Sequence, residues 1–168
     1  MIVKLVEREL LTKYGTFKEV LYYDGQAESI GLVMGDVESG ENILCRIHSH
    51  CIGAHVFNSI ECTCREEMEG AQALIESEGK GVIIWLDQEG KGNGHLALME
   101  SIKYKKELGQ AEAYVKAGFA ADARSYRPAA EILKDLKVKS IDLLSNSSEK
   151  ADDLRQVSIN VTGVQSPV

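Results

Sequence analysis

Soft donor side chains crowd one short stretch of this sequence. Its four cysteines and four histidines fall, with the exception of His95, between positions 45 and 64: Cys45, His48, His50, Cys51, His55, Cys62 and Cys64. Thiolates and imidazoles are the groups that hold zinc and related ions, and packing alone does not gather them so densely. Cys51, Cys62 and Cys64 follow a Cys-x10-Cys-x-Cys spacing, which is neither the paired Cys-x2-Cys of a ribbon nor a finger. Three thiolates leave the fourth position of a tetrahedral ion open, as hydrolysis requires, whereas a fourth ligand from Cys45, His48, His50 or His55 would close the site. If residues 43–50 form a strand, side chains alternate faces, and Cys45 shares the side of Cys51 only if the strand runs unbroken to 51. The spacing leaves both arrangements open.

Three other segments carry groups suited to an anionic ligand. Asp87-Gln-Glu-Gly-Lys-Gly-Asn-Gly94 follows an apolar run and precedes a helical pattern. Glycines there let backbone N–H groups come close to a ligand, and a helix N-terminus favours negative charge. Asp122-Ala-Arg-Ser-Tyr126 puts an acid and a base two apart in a turn, either a proton-transfer and anion-binding pair or a surface ion pair. Ser145-Asn-Ser-Ser-Glu-Lys150 leaves a strand and enters a helix, suiting a phosphate or a simple serine cap.

The elements that must position these groups are readable from turn signals and periodicity. Segments 2–11, 17–23, 27–37 and 43–49 read as strands, separated by Gly15, Asp24-Gly25 and a polar turn at 38–42. A helix is expected over 66–78, ending before Gly79, and a buried strand over 82–86. A helix from about 95 to 108 should stop at Gly109. Pro128 suits the first turn of another helix, followed by a strand over 140–144, a helix around 148–156 and a last strand near 158–162. The expectation is a mixed α/β (α+β) chain, a single domain over 1–168, with an antiparallel N-terminal part followed by alternating helices and strands.

Bulk properties narrow the partners. A formal charge of −7 disfavours a nucleic-acid surface, which needs a basic face. Apolar content of 44% and 27% charged residues are ordinary for a folded domain. No apolar run approaches the roughly 18 residues that span a bilayer, so no membrane partner and a cytoplasmic location are expected, with thiols kept reduced.

Taken together, these segments resemble the GTP cyclohydrolase II family. Arg46-Ile-His-Ser49 is similar to its Arg-Val/Ile-His-Ser strand, and the three cysteines match its zinc ligands in spacing. Asp87-Gln-Glu-Gly-Lys-Gly92 looks like its Gln-Glu-Gly-Arg-Gly turn. Gly118-Phe-Ala-Ala-Asp-Ala-Arg-Ser-Tyr126 is close to Gly-Phe-x-x-Asp-x-Arg-Asp-Tyr/Phe, and Leu143-Leu-Ser-Asn146 resembles Leu-Leu-Thr/Ser-Asn. The resemblance implies a zinc-dependent hydrolase of GTP, belonging to riboflavin biosynthesis. It would open the purine imidazole ring, release C8 as formate and lose pyrophosphate, with magnesium assisting, as a homodimer. It implies zinc on Cys51, Cys62 and Cys64, Asp122 as proton acceptor, Arg124 at the phosphates and Tyr104 as the tyrosine nearest the family's catalytic one. Arg46, His48, Ser49, His50, Glu67, Glu89, Gly90, Lys91, Ser145 and Lys150 fall at nucleotide-contacting or adjoining positions. A guanidinium stays protonated at any working pH, so Arg124 is read as a phosphate clamp rather than a nucleophile.

The sequence departs from the family pattern inside these same motifs. His50 and His55 stand where relatives carry acids, Glu67 where they carry glutamine, and Lys91 where they carry arginine. Fewer carboxylates weaken a magnesium site, and an acceptor-only Glu67 changes what base edge is read. Two rival readings follow: a diverged cyclohydrolase acting on another purine or pyrimidine nucleotide or base, and a catalytically silent, zinc-containing nucleotide-binding protein.

Overall fold

The computed structural model describes residues 1–168. Strands β1 (Val3–Thr12), β2 (Gly15–Tyr23) and β3 (Glu28–Met34) form an antiparallel meander. The β2–β3 turn is set by Asp24, whose carboxylate accepts from the Gln26 and Ala27 amides, and by Gly25 at φ +96°. Strand β4 (Ile43–Ser49), helix α1 (Ile52–His55), helix α2 (Cys64–Glu78) and strand β5 (Gly81–Leu86) follow. Helices α3 (His95–Ser101) and α4 (Gln110–Lys116) are separated by a 3-10 turn at Ile102–Tyr104. Helix α5 (Arg127–Asp135), strand β6 (Ile141–Leu144), helix α6 (Ser148–Gln156) and strand β7 (Val161–Gln165) complete the chain.

All seven strands join one sheet in the order β1-β2-β3-β5-β4-β6-β7. The first half is antiparallel and joins at β3–β5; β5, β4, β6 and β7 run parallel. Parallel strands carry their carboxyl ends to one edge, where ligands of open α/β sheets bind. The segments after β4, β5 and β6 are the cysteine stretch, the glycine turn and the Ser145 segment, so topology alone brings the three motifs to one end.

Period-two alternation divides the core across the sheet. Val82, Ile84 and Leu86 of β5, with Cys45 and Ile47 of β4, pack with Ala129, Ile132 and Leu133 of α5 and Leu154 of α6. Ile83 and Leu144 face the other way, toward Ala71 and Ile75 of α2. Cys45 therefore belongs to the hydrophobic core, fully buried, and β4 ends two residues short of Cys51. Burial pushes its thiol up to about 12. Arg46 and His48 take the alternate positions of β4, Arg46 reaching Glu67 of α2.

The expected mixed α/β arrangement is present, with three local differences. The single helix expected over 95–108 ends at Ser101, whose hydroxyl donates to the Leu98 carbonyl 2.8 Å away. Such local bonding competes with the helical ladder and tightens the next turn into 3-10 geometry. A separate helix, α4, then starts after Gly109. The last strand begins at Val161 rather than near 158, because Ser158 sits at φ +67° and turns the chain before it can extend. Helix α1, inside the cysteine stretch, has no periodic signal in four residues.

Candidate active site

The three sulfurs are brought together by both ends of one clamp. Cys51 is the N-cap of α1 and Cys64 the first residue of α2, with Cys62 in the loop between. Arg65 locks the two helices: its Nε donates to the Ala54 carbonyl at 3.0 Å and its Nη2 to the His55 carbonyl at 2.9 Å. Glu89 fixes the other end of α1, its buried carboxylate accepting from the Ile52 amide at 3.3 Å and pairing with His95 Nδ1 at 2.8 Å. Within this frame Cys51 Sγ and Cys62 Sγ lie 3.6 Å apart, and the sulfurs of Cys51, Cys62 and Cys64 all lie within 4.8 Å of one another.

This donor set fits zinc. Burial, then the neighbouring Cys62 and Cys51 sulfurs, push the Cys64 thiol up, and burial does the same to Cys51. Thiols raised in this way, packed against a third sulfur, ionise only around a cation. They are the one group of three or more clustered metal-donor side chains, so no carboxylate cage for magnesium accompanies them. Cys45 is excluded as a fourth ligand by its place in the core. His48 and His55 are bonded to each other, and His50 Nδ1 lies 3.2 Å from Asp87.

A cavity of about 290 Å³ opens beside the sulfurs. Its walls bring together Ser49, His50, Cys51, Cys62 and Cys64 with Glu89, Gly90 and Lys91 of the glycine turn and with Arg124. The turn is held in an unusual backbone shape: Gly90, Lys91, Gly92 and Gly94 all have positive φ, Lys91 at +52°. Gly92 is required at its position, since a Cβ there would meet the Ala123 backbone at 2.6 Å. The turn is thereby stitched to the Asp122 loop. The Ala123 amide donates to the Lys91 carbonyl at 2.7 Å, and Asn93 exchanges hydrogen bonds with the Ala120 backbone.

Asp122 and Arg124 form a direct ion pair, Nη2 to Oδ2 at 2.6 Å and Nε to Oδ1 at 3.0 Å. Burial pushes the Asp122 carboxyl up, but the side-chain and backbone hydrogen bonds from Arg124 outweigh it and hold the group below its usual range. Arg124 lines the sulfur cavity; Asp122 lines a neighbouring surface depression that Arg124 shares.

Besides Asp122, six of the expected residues stand apart from the cavity wall. Arg46, His48 and Glu67 are linked by hydrogen bonds on the α2 side of β4. Lys150 donates to the Ile47 carbonyl and stands 6.0 Å from the Tyr126 ring. Burial, then the charges of Arg46 and Arg124, push its ammonium down to about 7. Ser145 is buried, and its hydroxyl accepts from the Ser147 amide at 3.0 Å; Ser147 caps α6 through the Lys150 amide. Tyr104 lies in the 3-10 turn beneath the Lys116 ammonium and does not line the cavity. The phenol on that wall is Tyr114 of α4, together with Lys105, Gln88 and Gln110. The Gln88 and Gln110 amide nitrogens are buried without a protein partner. Gln88 stood inside the glycine turn and was legible as part of it. Gln110 and Tyr114 depend on α4, which carries no signal of its own beyond Gly109.

Comparison with known proteins decides what this arrangement belongs to. The family model for GTP cyclohydrolase II matches residues 3–166. The chain belongs to the GTP cyclohydrolase II family. It is 41% identical over 165 residues to the riboflavin biosynthesis protein RibBA of Bacillus mycoides, covering 96% of this chain and 42% of that one. It is 39% identical over 171 residues to the GTP cyclohydrolase-2 of Archaeoglobus fulgidus, covering 100% of this chain and 44% of the relative. This GTP cyclohydrolase II family chain thus spans less than half the length of the curated relatives it matches. Among solved structures, the fold is similar to that of RibBX, a two-domain 3,4-dihydroxy-2-butanone 4-phosphate synthase from A. baumannii. The TM-score is 0.55 at 20% identity, over 98% of this chain and 40% of that chain. No helix is long and apolar enough to cross a membrane.

Proposed function

We propose that this chain hydrolyses GTP, opening the imidazole ring with loss of C8 as formate and of pyrophosphate from the triphosphate. The step would belong to riboflavin biosynthesis, which the names of its relatives carry. The observation that supports this most is the wall of one cavity. Three thiols able to hold zinc face a glycine turn, two unpartnered amide nitrogens and an arginine across about 290 Å³.

Cys51, Cys62 and Cys64 would hold zinc, which when bound supplies Lewis acidity for hydrolysis. Three thiolates leave that centre with a net negative charge, so protein groups must carry much of the proton transfer. His50, hydrogen-bonded to Asp87, stands beside Cys51 for that role, and Tyr114 replaces Tyr104 as the phenol within reach. Lys91, Lys105 and Arg124 give the cavity cations for a phosphate chain, with Arg124 as a clamp. Asp122 accepts a proton only after Arg124 swings from it to the substrate, so phosphate binding would itself free the base. Arg46, Glu67 and Lys150 form a second charged group behind the cavity, suited to fixing the nucleotide's other end. Magnesium would arrive on the triphosphate oxygens, since the protein supplies no cage for it. We read the active form as a cytoplasmic homodimer built from this domain.

Zinc-loaded protein incubated with GTP, with formate assayed and the ultraviolet spectrum followed, tests the proposal. Formate release with loss of the purine spectrum is expected. GTP binding without either product would favour the silent nucleotide-binding reading, and turnover of another base alone would favour the diverged enzyme.

A further inference from the structure

Two histidines of the crowded segment take no place in the sulfur group or on the cavity wall. His48 and His55 meet edge to face, Nε2 to Nε2 at 2.9 Å with the rings 68° apart. One nitrogen must donate and the other accept. The direction is fixed from outside the pair. Arg46 Nε donates to His48 Nδ1 at 3.3 Å, and an arginine N–H has no lone pair to offer. His48 Nδ1 therefore accepts, and the neutral ring carries its proton on Nε2. That proton is given to His55 Nε2, so His55 carries its own on Nδ1. Burial, with His48 1% exposed, and the adjacent guanidinium both oppose a charged His48.

The far side of Arg46 is equally constrained. Its Nη1 donates to the Leu144 carbonyl at 3.0 Å and its Nη2 to Glu67 Oε2 at 3.2 Å, while Asn146 Nδ2 donates to Glu67 Oε1 at 3.0 Å. An unbroken chain runs from Asn146 through Glu67, Arg46 and His48 to His55. Every link has a forced direction, and its last acceptor is His55.

We propose that His55 is a positioning residue: by accepting the proton that Arg46 leaves on His48 Nε2 it anchors the His48 ring, and His48 Nδ1 then holds the Arg46 guanidinium in the orientation that receives the nucleotide. The part that concerns binding rests on the GTP reading above. Without an acceptor at 55, the buried His48 Nε2–H is orphaned, and the ring turns to find a partner, breaking the Nδ1 contact with Arg46 Nε–H.

The test uses the full zinc-loaded chain with nitrogen-15 histidine, the tautomers being read at pH 7 from two-bond proton–nitrogen couplings. The expected pattern is His48 protonated on Nε2 and His55 on Nδ1. His48 found on Nδ1, or doubly protonated, overturns the proposal. Two variants carry it to binding. In His55→Gln the carboxamide oxygen reaches the place of Nε2 and accepts, whereas His55→Leu fills the space without an acceptor. His55→Leu should shift the His48 Nδ1 nitrogen resonance, as the hydrogen bond from Arg46 is lost, and raise KM for GTP about tenfold, with kcat within about threefold, the effect of one charge-assisted hydrogen bond. His55→Gln should restore both the Nδ1 resonance and KM. Parental KM and Nδ1 resonance in His55→Leu, or equal zinc loss in both variants, would overturn the positioning role. If the parent opens no GTP, the functional reading fails, while the tautomer spectra still decide the hydrogen-bond chain on their own.

Discussion

Cys51 Sγ and Cys62 Sγ face each other across 3.6 Å although eleven positions separate them in the chain. That approach depends on Arg65, which ties the end of α1 to the start of α2 and so closes the loop on itself. Cys62 lies in that loop, outside both core clusters, so its replacement should leave the fold standing. Cys62→Ser is expected to keep the circular dichroism of the parent, lower bound zinc below about a tenth of an ion per chain and abolish formate release. Formate release without zinc would contradict the metal reading.

Gly92 is the hinge pin between the glycine turn and the Asp122 loop. With φ at +84° and the Ala123 backbone 2.6 Å from a built Cβ, Gly92→Ala must separate the two segments. The expected cost is about 1–3 kcal/mol in urea unfolding, with a larger proportional loss of activity because Lys91 and Arg124 shift together. Gly79, with open space around its Cβ, is the control: Gly79→Ala should cost only the strain of its left-handed cap and spare activity.

Asp122→Asn isolates the proton acceptor. Zinc content and melting temperature should stay near the parent's, while kcat falls about 10²–10⁴-fold. The carboxyl is held low, so its contribution to stability is present above the ordinary carboxylate range and is lost as pH falls through the depressed value. At 42% side-chain exposure the pair contributes little, and acid unfolding should scarcely change. An unaltered rate would remove Asp122 from the chemistry.

Lys150 makes binding sensitive to pH. Its ammonium, pushed down to about 7 between Arg46 and Arg124 and countered by Glu67, is charged below neutrality and loses its proton above it. Nucleotide binding should therefore weaken as pH rises from 6 to 9, by about tenfold for one lost charge-assisted hydrogen bond, read as Kd in an equilibrium titration with a non-hydrolysable GTP analogue. Lys150→Met should flatten that dependence. For folding the sign is opposite: the unfolded lysine keeps its proton to 10.5, so stability rises with pH between about 7 and 10.5.

Much of this molecule was legible before its structure. Gly15, Asp24-Gly25 and Gly79 mark their turns because backbone conformation there is a local matter, and β5 is apolar because both its faces are buried. The cysteine trio was legible because spacing and donor type are enough to suggest a metal. What stayed hidden depends on facing and on competition between turns. Sequence could not say that Arg46 and His48 lie on the α2 side of β4 while Cys45 joins the core, since that requires the register of a strand buried on both sides. Nor could it end α3 at Ser101, because the break is a Ser101 hydroxyl taking the Leu98 carbonyl, or announce α4 beyond Gly109. Tyr104 was the tyrosine nearest the family's motif position, whereas the fold brings Tyr114 of α4 to the cavity wall.

The proposed function requires the thiol trio and ring opening to belong to one site. The most direct measurement strips zinc with a chelator, restores it in steps and follows formate released from GTP against zinc bound. Formate release should rise in proportion to bound zinc and saturate at about one ion per chain. A rate independent of bound zinc, or zinc-saturated protein that releases no formate, would contradict it.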